Sequence, residues 1–292
     1  MTPPHTLTTD GQPMTDGGRE PDAGADRSGA ETVSDRPTVL VPLEVLEGET
    51  LPVGIPDLLA NANVVLLGYH VLPEQTATEQ ARDQFGEKAM KKLTVYADTL
   101  SNAGATTETR LVFTHDEQTT INRLIYEYEC LAVLVPNSVE QLNSVLVAVR
   151  GTVGIGRNTR LVAGLFAGTD IDVTLYHILG DDEAEDHAES LLGAVRDDLV
   201  DRGMDPASID TLIETPTEQT AIDAIAQHGE THDAVVMGET DPTVTTFVFG
   251  MPAEQVAERF LGPVLVVQRE RPDADGDGGI AGDETGETSP AE

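Results

Sequence analysis

The sequence repeats itself in order. Val39-Leu40-Val41-Pro42-Leu43-Glu44 is answered by Val145-Leu146-Val147-Ala148-Val149-Arg150, and Tyr69-His70-Val71-Leu72 by Tyr176-His177-Ile178-Leu179. Glu117-Gln118-Thr119-Thr120-Ile121 is answered by Glu218-Gln219-Thr220-Ala221-Ile222, and Leu131 to Pro136 by Asp233 to Gly238. The spacing stays at roughly 101 to 107 residues. Four collinear matches imply a tandem duplication, which obliges both halves to adopt one architecture.

That architecture is α/β. Short continuous apolar runs bounded by turn residues suit strands buried on both faces of a parallel sheet, and helix-length amphipathic segments lie between them. In the second half the pattern predicts strands at 145–149, 172–179, 209–214, 233–237 and 263–268, with helices near 155–167, 182–203, 217–229 and 252–261. Thr217 with Glu218 and Thr220 marks one helix start, Gly203 one helix end, and Gly262-Pro263 another. In the first half the pattern predicts strands at 38–43, 63–71, 107–113 and 131–135, with helices near 53–61, 76–103 and 117–129. Only Asn137 to Asn143 separate its fourth strand from the next one, too few for a loop, a helix and a fifth strand. The first half has lost its last βα unit or has given that edge to its neighbour. The expectation is two doubly wound open sheets in tandem, the first truncated.

The flanks differ in kind. Residues 1–36 are rich in Gly, Pro, Asp, Ser and Thr, and 273–292 hold seven acids and no base. Neither bears enough apolar surface to offset ordering, so 1–36 and 271–292 are expected to be disordered tails around domains at 37–142 and 143–270.

Charge removes several functions. Against 52 acidic side chains stand 17 basic ones, a formal charge of −35, and only Lys88, Lys91 and Lys92 are lysines. Such a surface repels nucleic acid and anionic membranes alike. Acid excess with little lysine suggests a salt-in halophile, since molar salt shortens the Debye length to about 3 Å and screens the repulsion. With no transmembrane-length apolar run, no signal-peptide pattern and one cysteine, Cys130, the chain is expected to be soluble and cytoplasmic, without membrane insertion or an internal disulfide.

The opening strands VLVPLE and VLVAVRG, the second strands ending in YHVL and YHIL, and the closing VVMGETDPTVTTFVFGMPAEQVAERFLGPVLVVQRE together resemble the universal stress protein family, UspA-like domains of the adenine-nucleotide alpha-hydrolase-like fold. The resemblance covers roughly 37–270 and is strongest at 232–268. It implies a cytoplasmic sensor or interaction protein in stress response, paired as a homo-oligomer or as a pseudo-dimer within the chain, commonly through the last strand, here Pro263 to Gln268. A looser resemblance to stress-protein domains that accompany transporters implies, as an alternative, a regulatory partner of a membrane permease.

Nucleotide-binding members carry an Asp at the end of the first strand and G-x2-G-x9-G-[ST] after the fourth. Glycines there let the backbone approach phosphates, and a hydroxyl adds a donor. In this chain the loop runs from Gly238 to Gly250, one residue short; Asp241 replaces the middle glycine, Pro242 follows it, and Met251 replaces the hydroxyl. The strand-end Asp becomes Arg150 in the second half and Glu44 in the first. Asp241 adds charge of the wrong sign, and Pro242 and Met251 each remove a donor. Two readings stand: a degenerate anion or ATP site in the second half built from Arg150, Gly238, Thr240, Gly250 and Met251, with Thr243, Thr245 and Thr246 nearby, or a plain turn. The second is preferred, so no cofactor is expected, with ATP in the second half as the alternative.

Other groups carry less. His228 and His232 stand four apart, but Gly229 ends the helix between them, so no metal is expected. His70 and His177 fall at matched strand ends, as rim residues or as the lining of a pocket. The run from Asp181 to Asp186 opens a helix, where acids are favoured. Cys130, beside a buried strand, is expected to be inert. No hydrolase triad, zinc or Walker A pattern is present, so an enzyme is not expected.

Overall fold

The computed structural model describes residues 36–150, 154–180, 182–215, 221–238 and 262–268. The expected tails, the helix over 252–261 and the start signal at Thr217 lie outside them. Along the chain run β1 (Thr38–Glu44), α1 (Ile55–Leu58), β2 (Asn63–Val71), α2 (Thr78–Ala103), β3 (Thr106–Thr114), α3 (Glu117–Glu127) and β4 (Ala132–Val135). The second half has β5 (Ser144–Ala148), α4 (Ile155–Phe166), β6 (Asp172–Ile178), α5 (Glu185–Asp201), β7 (Ile209–Glu214), α6 (Ala221–Gly229), β8 (Ala234–Gly238) and β9 (Val264–Val267). Each lies within a few residues of the segment its apolar pattern predicts.

Local chemistry sets several ends. Asp116 caps α3 by accepting from the Thr119 N–H at 2.9 Å. Gly203, at φ +98°, closes α5 while the Met204 N–H returns to the Leu199 carbonyl at 3.1 Å.

The described strands form one nine-stranded sheet in the order β3-β2-β1-β4-β9-β8-β5-β6-β7. Every neighbouring pair is parallel except β4 with β9. The first half builds the order third-second-first-fourth and stops. The second half builds the same order and adds β9. Of the two expectations for the missing unit, the edge is the one observed: β9 lies against β4, Leu265 beside Leu134, where a fifth strand of the first half would sit.

Side chains alternate across the sheet, as a strand's period of two requires. Val39, Val41, Val145, Val147, Ala234, Val236, Leu265 and Val267 share one core with residues of α1, α2, α4 and α5. Their neighbours Leu40 and Val133 pack instead with α3, and Leu146, Val235 and Val266 with Ile225 of α6. The main core is therefore continuous across both halves.

One detail departs from the repeat. Tyr69 sits beside Glu44 on the β1–β2 ladder, whereas Tyr176 sits beside Ala148, two residues before the Arg150 that answers Glu44. A two-residue shift keeps each side chain on its face but moves it about 7 Å along the strand. His70 and His177 consequently meet different surroundings.

Candidate functional site

Open α/β sheets bind ligands outside the carboxyl ends of strands where the chain order reverses. Here that happens between β1 and β4, and again between β5 and β8. At the second switch point the β5–β8 ladder ends with Ala148 beside Met237. Gly238 is the last residue of β8, and the exposed Arg150 lies two residues beyond the end of β5. Thr240, Gly250 and Met251, with Asp241, Pro242, Thr243, Thr245 and Thr246, lie outside the described residues. The structure thus brings two of the five expected site residues to one edge.

Arginines outside the nucleotide motif stand on the same edge. Arg157, in the first turn of α4, donates through Nε to the Gln268 carbonyl at 2.6 Å and through Nη2 to the Cys130 carbonyl at 3.3 Å. A cavity of about 370 Å³ is lined there by Tyr126, Tyr128, Cys130, Arg157 and Arg160. The available signal was two basic residues opening a helix in a chain with 17 in total. Because Arg157 ties the end of β9 to the residue before Leu131, its role in the geometry is to hold the two halves together.

The paired histidines separate chemically. His177 is 3% exposed, and its ring nitrogens face the Val149 carbonyl at 2.8 Å and the Glu183 carboxylate at 3.0 Å. Each ring nitrogen thus faces an oxygen within hydrogen-bond distance. Glu183 also accepts from the Gly180 N–H at 2.9 Å. One acid of the 181–186 run therefore fixes a buried histidine; α5 itself begins with Glu185 and Asp186.

His228 and His232 do not converge. His228 Nε2 meets Glu214 at 2.8 Å, while His232 Nε2 meets Thr174 Oγ1 at 3.0 Å and its Nδ1 the His228 carbonyl at 2.8 Å. The Tyr176 hydroxyl also donates to Glu214, and its ring lies 4.7 Å from that of His228. This Tyr–Glu–His group anchors α6 to the sheet. Cys130 is buried, and burial pushes its thiol up to about 12, which keeps it unreactive.

These carboxylates give the fold an acid-sensitive edge. The Gly180 N–H and then His177 hold the Glu183 carboxyl below its ordinary 4.5, and the Tyr176 hydroxyl, then His228, do the same for Glu214. A depressed folded value means the stabilisation is fully present above the unfolded value near 4.5 and is lost as pH falls through the folded one. Thermal melts should therefore fall off below about pH 4.5. The double variant Glu183→Gln/Glu214→Gln should show a shallower decline over that window; an unchanged slope would remove both groups from the account.

The geometry defines a doubly wound α/β protein with a switch point in each half. That fold is shared with universal stress proteins: the chain superposes on a universal stress protein from Archaeoglobus fulgidus DSM 4304 with a TM-score of 0.52 and 17% identity, covering 80% of this chain and 96% of that one. Two weaker likenesses are to a universal stress protein in complex with cAMP (TM-score 0.32, 16% identity, 44% of this chain and 98% of that one) and to another from Archaeoglobus fulgidus (TM-score 0.31, 14% identity, 49% and 98%). No protein-family model matches the chain, and no curated protein matches it. Among the described residues, no helix is long and apolar enough to cross a membrane.

Proposed function

We propose that the chain is a universal-stress-type protein of the cytoplasm that works as a non-enzymatic sensor or interaction module in stress response and does not bind ATP tightly. Its acid-rich surface is read as an adaptation to molar salt. The observation that carries the proposal is the second switch point: the fold presents a ligand edge there, and Arg150 stands where nucleotide-binding relatives of this fold carry an acid. With Asp241 replacing a glycine in the following loop, the phosphates would face one added negative charge and fewer backbone donors. The charge of residues 37–272 points the same way: removing −4 for 1–36 and −7 for 273–292 leaves −24 there.

Equilibrium binding of labelled ATP to the full chain in molar KCl tests this. No saturable binding is expected up to millimolar ATP; saturable binding that Gly250→Trp abolishes would overturn the reading and assign the nucleotide to the second half. Recovery of a membrane permease with the purified chain would instead make it a transporter's regulatory partner.

A further inference from the structure

The carboxyl ends of β1 and β2, beside the first switch point, hold a different set of groups. We propose that Glu44, Glu47 and His70 bind one divalent transition-metal ion at the carboxyl edge of the first half. One imidazole nitrogen and two carboxylate oxygens, with remaining positions open to water or a substrate, make a donor set suited to Zn²⁺, Co²⁺ or Mn²⁺. Mg²⁺ and Ca²⁺ prefer oxygen alone.

Geometry supports it first. One ligand atom from each of the three residues lies within 4.8 Å of the others. His70 Nδ1 is 3.9 Å from Glu44 Oε1 and 3.8 Å from Glu47 Oε1, too far for hydrogen bonds. An ion at about 2.0–2.2 Å from each would draw them together through small side-chain rotations.

The second support is His70 itself. Its Nδ1 is the only buried side-chain nitrogen or oxygen without a hydrogen-bond partner among the described residues, and it points toward these carboxylates. A buried polar atom left unpaired costs about 1–3 kcal/mol and asks for an explanation. The repeat supplies a control, because each ring nitrogen of His177 in the second half lies within hydrogen-bond distance of a partner. The two-residue shift in register carries His70 beyond the ladder and away from a carbonyl like that of Val149. Phe113 then holds the ring edge-on at 6.4 Å.

The loop that carries Glu47 is held in place. The Glu47 N–H returns to the Glu44 carbonyl at 3.2 Å, Gly48 turns the chain at φ +99°, and Glu49 accepts from the Glu44 N–H. From α2, Lys92 Nζ donates to the Val45 carbonyl at 3.2 Å and to the Glu49 carbonyl. Lys92 thus fastens the backbone of the loop and leaves the Glu44 and Glu47 carboxylates to the histidine.

Titration calorimetry of the full chain with ZnCl₂ in molar KCl, where diffuse attraction to the acidic surface is screened, tests the site. One ion per chain is expected. Affinity should fall at least about tenfold in His70→Ala and in Glu44→Gln and stay unchanged in His187→Ala. Circular dichroism checks that each variant folds. If His70→Ala does not fold, Co²⁺ titration of the wild-type chain decides, with a visible absorption band and a shifted His70 ring resonance expected. Absence of saturable one-to-one binding by the wild-type chain, binding that His70→Ala retains in full, or Co²⁺ that leaves the His70 resonance in place would each overturn the proposal.

Discussion

Leu265→Ala is expected to lower unfolding stability by about 2–5 kcal/mol, in one cooperative transition. Leu265 is fully buried in β9, the middle strand of the nine, between Leu134 of β4 and Val236 of β8. It packs in the core that residues of both halves share, so the cavity left by its side chain is lined from both sides. Apart from β9, the described bonds between the halves include only a few single contacts, such as Asn61 Nδ2 to the Leu165 carbonyl at 2.9 Å. Urea unfolding followed by far-ultraviolet circular dichroism checks the prediction. Two separable transitions in the parent chain, or a loss below about 1 kcal/mol, would show that the halves fold apart and that β9 does not unite them.

Gly54→Ala is expected to cost more than Gly48→Ala, although both glycines have positive φ. Gly54 has φ +84°, and a Cβ there would stand 2.3 Å from the Val139 carbonyl oxygen. Gly48 has φ +99° and nothing within 4 Å of a Cβ. The left-handed conformation alone costs an alanine about 1–2 kcal/mol. At Gly54 the segment joining the halves must also shift, because the Val139 N–H bonds to the Val53 carbonyl at 3.1 Å. That displacement should add about 1–3 kcal/mol. Denaturant midpoints of the two variants, measured side by side, give the difference; equal losses would mean that the 137–143 segment is not seated against α1.

Much of this fold is legible in the residues. Asn63 to Val71 reads as a strand because seven of its nine residues are apolar or glycine and no proline interrupts it, and it is one. Gly203 reads as a helix end because it follows an amphipathic run, and its backbone is left-handed. The short interval from Asn137 to Asn143 shows that the first half lacks a fifth strand. It does not choose between losing that edge and sharing it, since strand partners distant in sequence leave no local mark.

The sites are less legible for the same reason. The Tyr-His pairs match residue for residue, yet a two-residue slip in register gives His177 two hydrogen-bond partners and leaves His70 Nδ1 without one. Glu47 belongs to no motif; it reaches His70 because Gly48 turns the loop and Lys92, distant in sequence, fastens it. Arg157 likewise shows its use only when Gln268 and Cys130 arrive beside it from β9 and the end of α3.

The nucleotide question turns on one edge of the sheet. A crystal structure of the full chain grown in molar KCl with millimolar ATP examines that edge directly, in the space between Arg150 and the residues following Gly238. No ordered nucleotide is expected there; an adenine and phosphates held against Gly238 and the residues after it would contradict the proposed function.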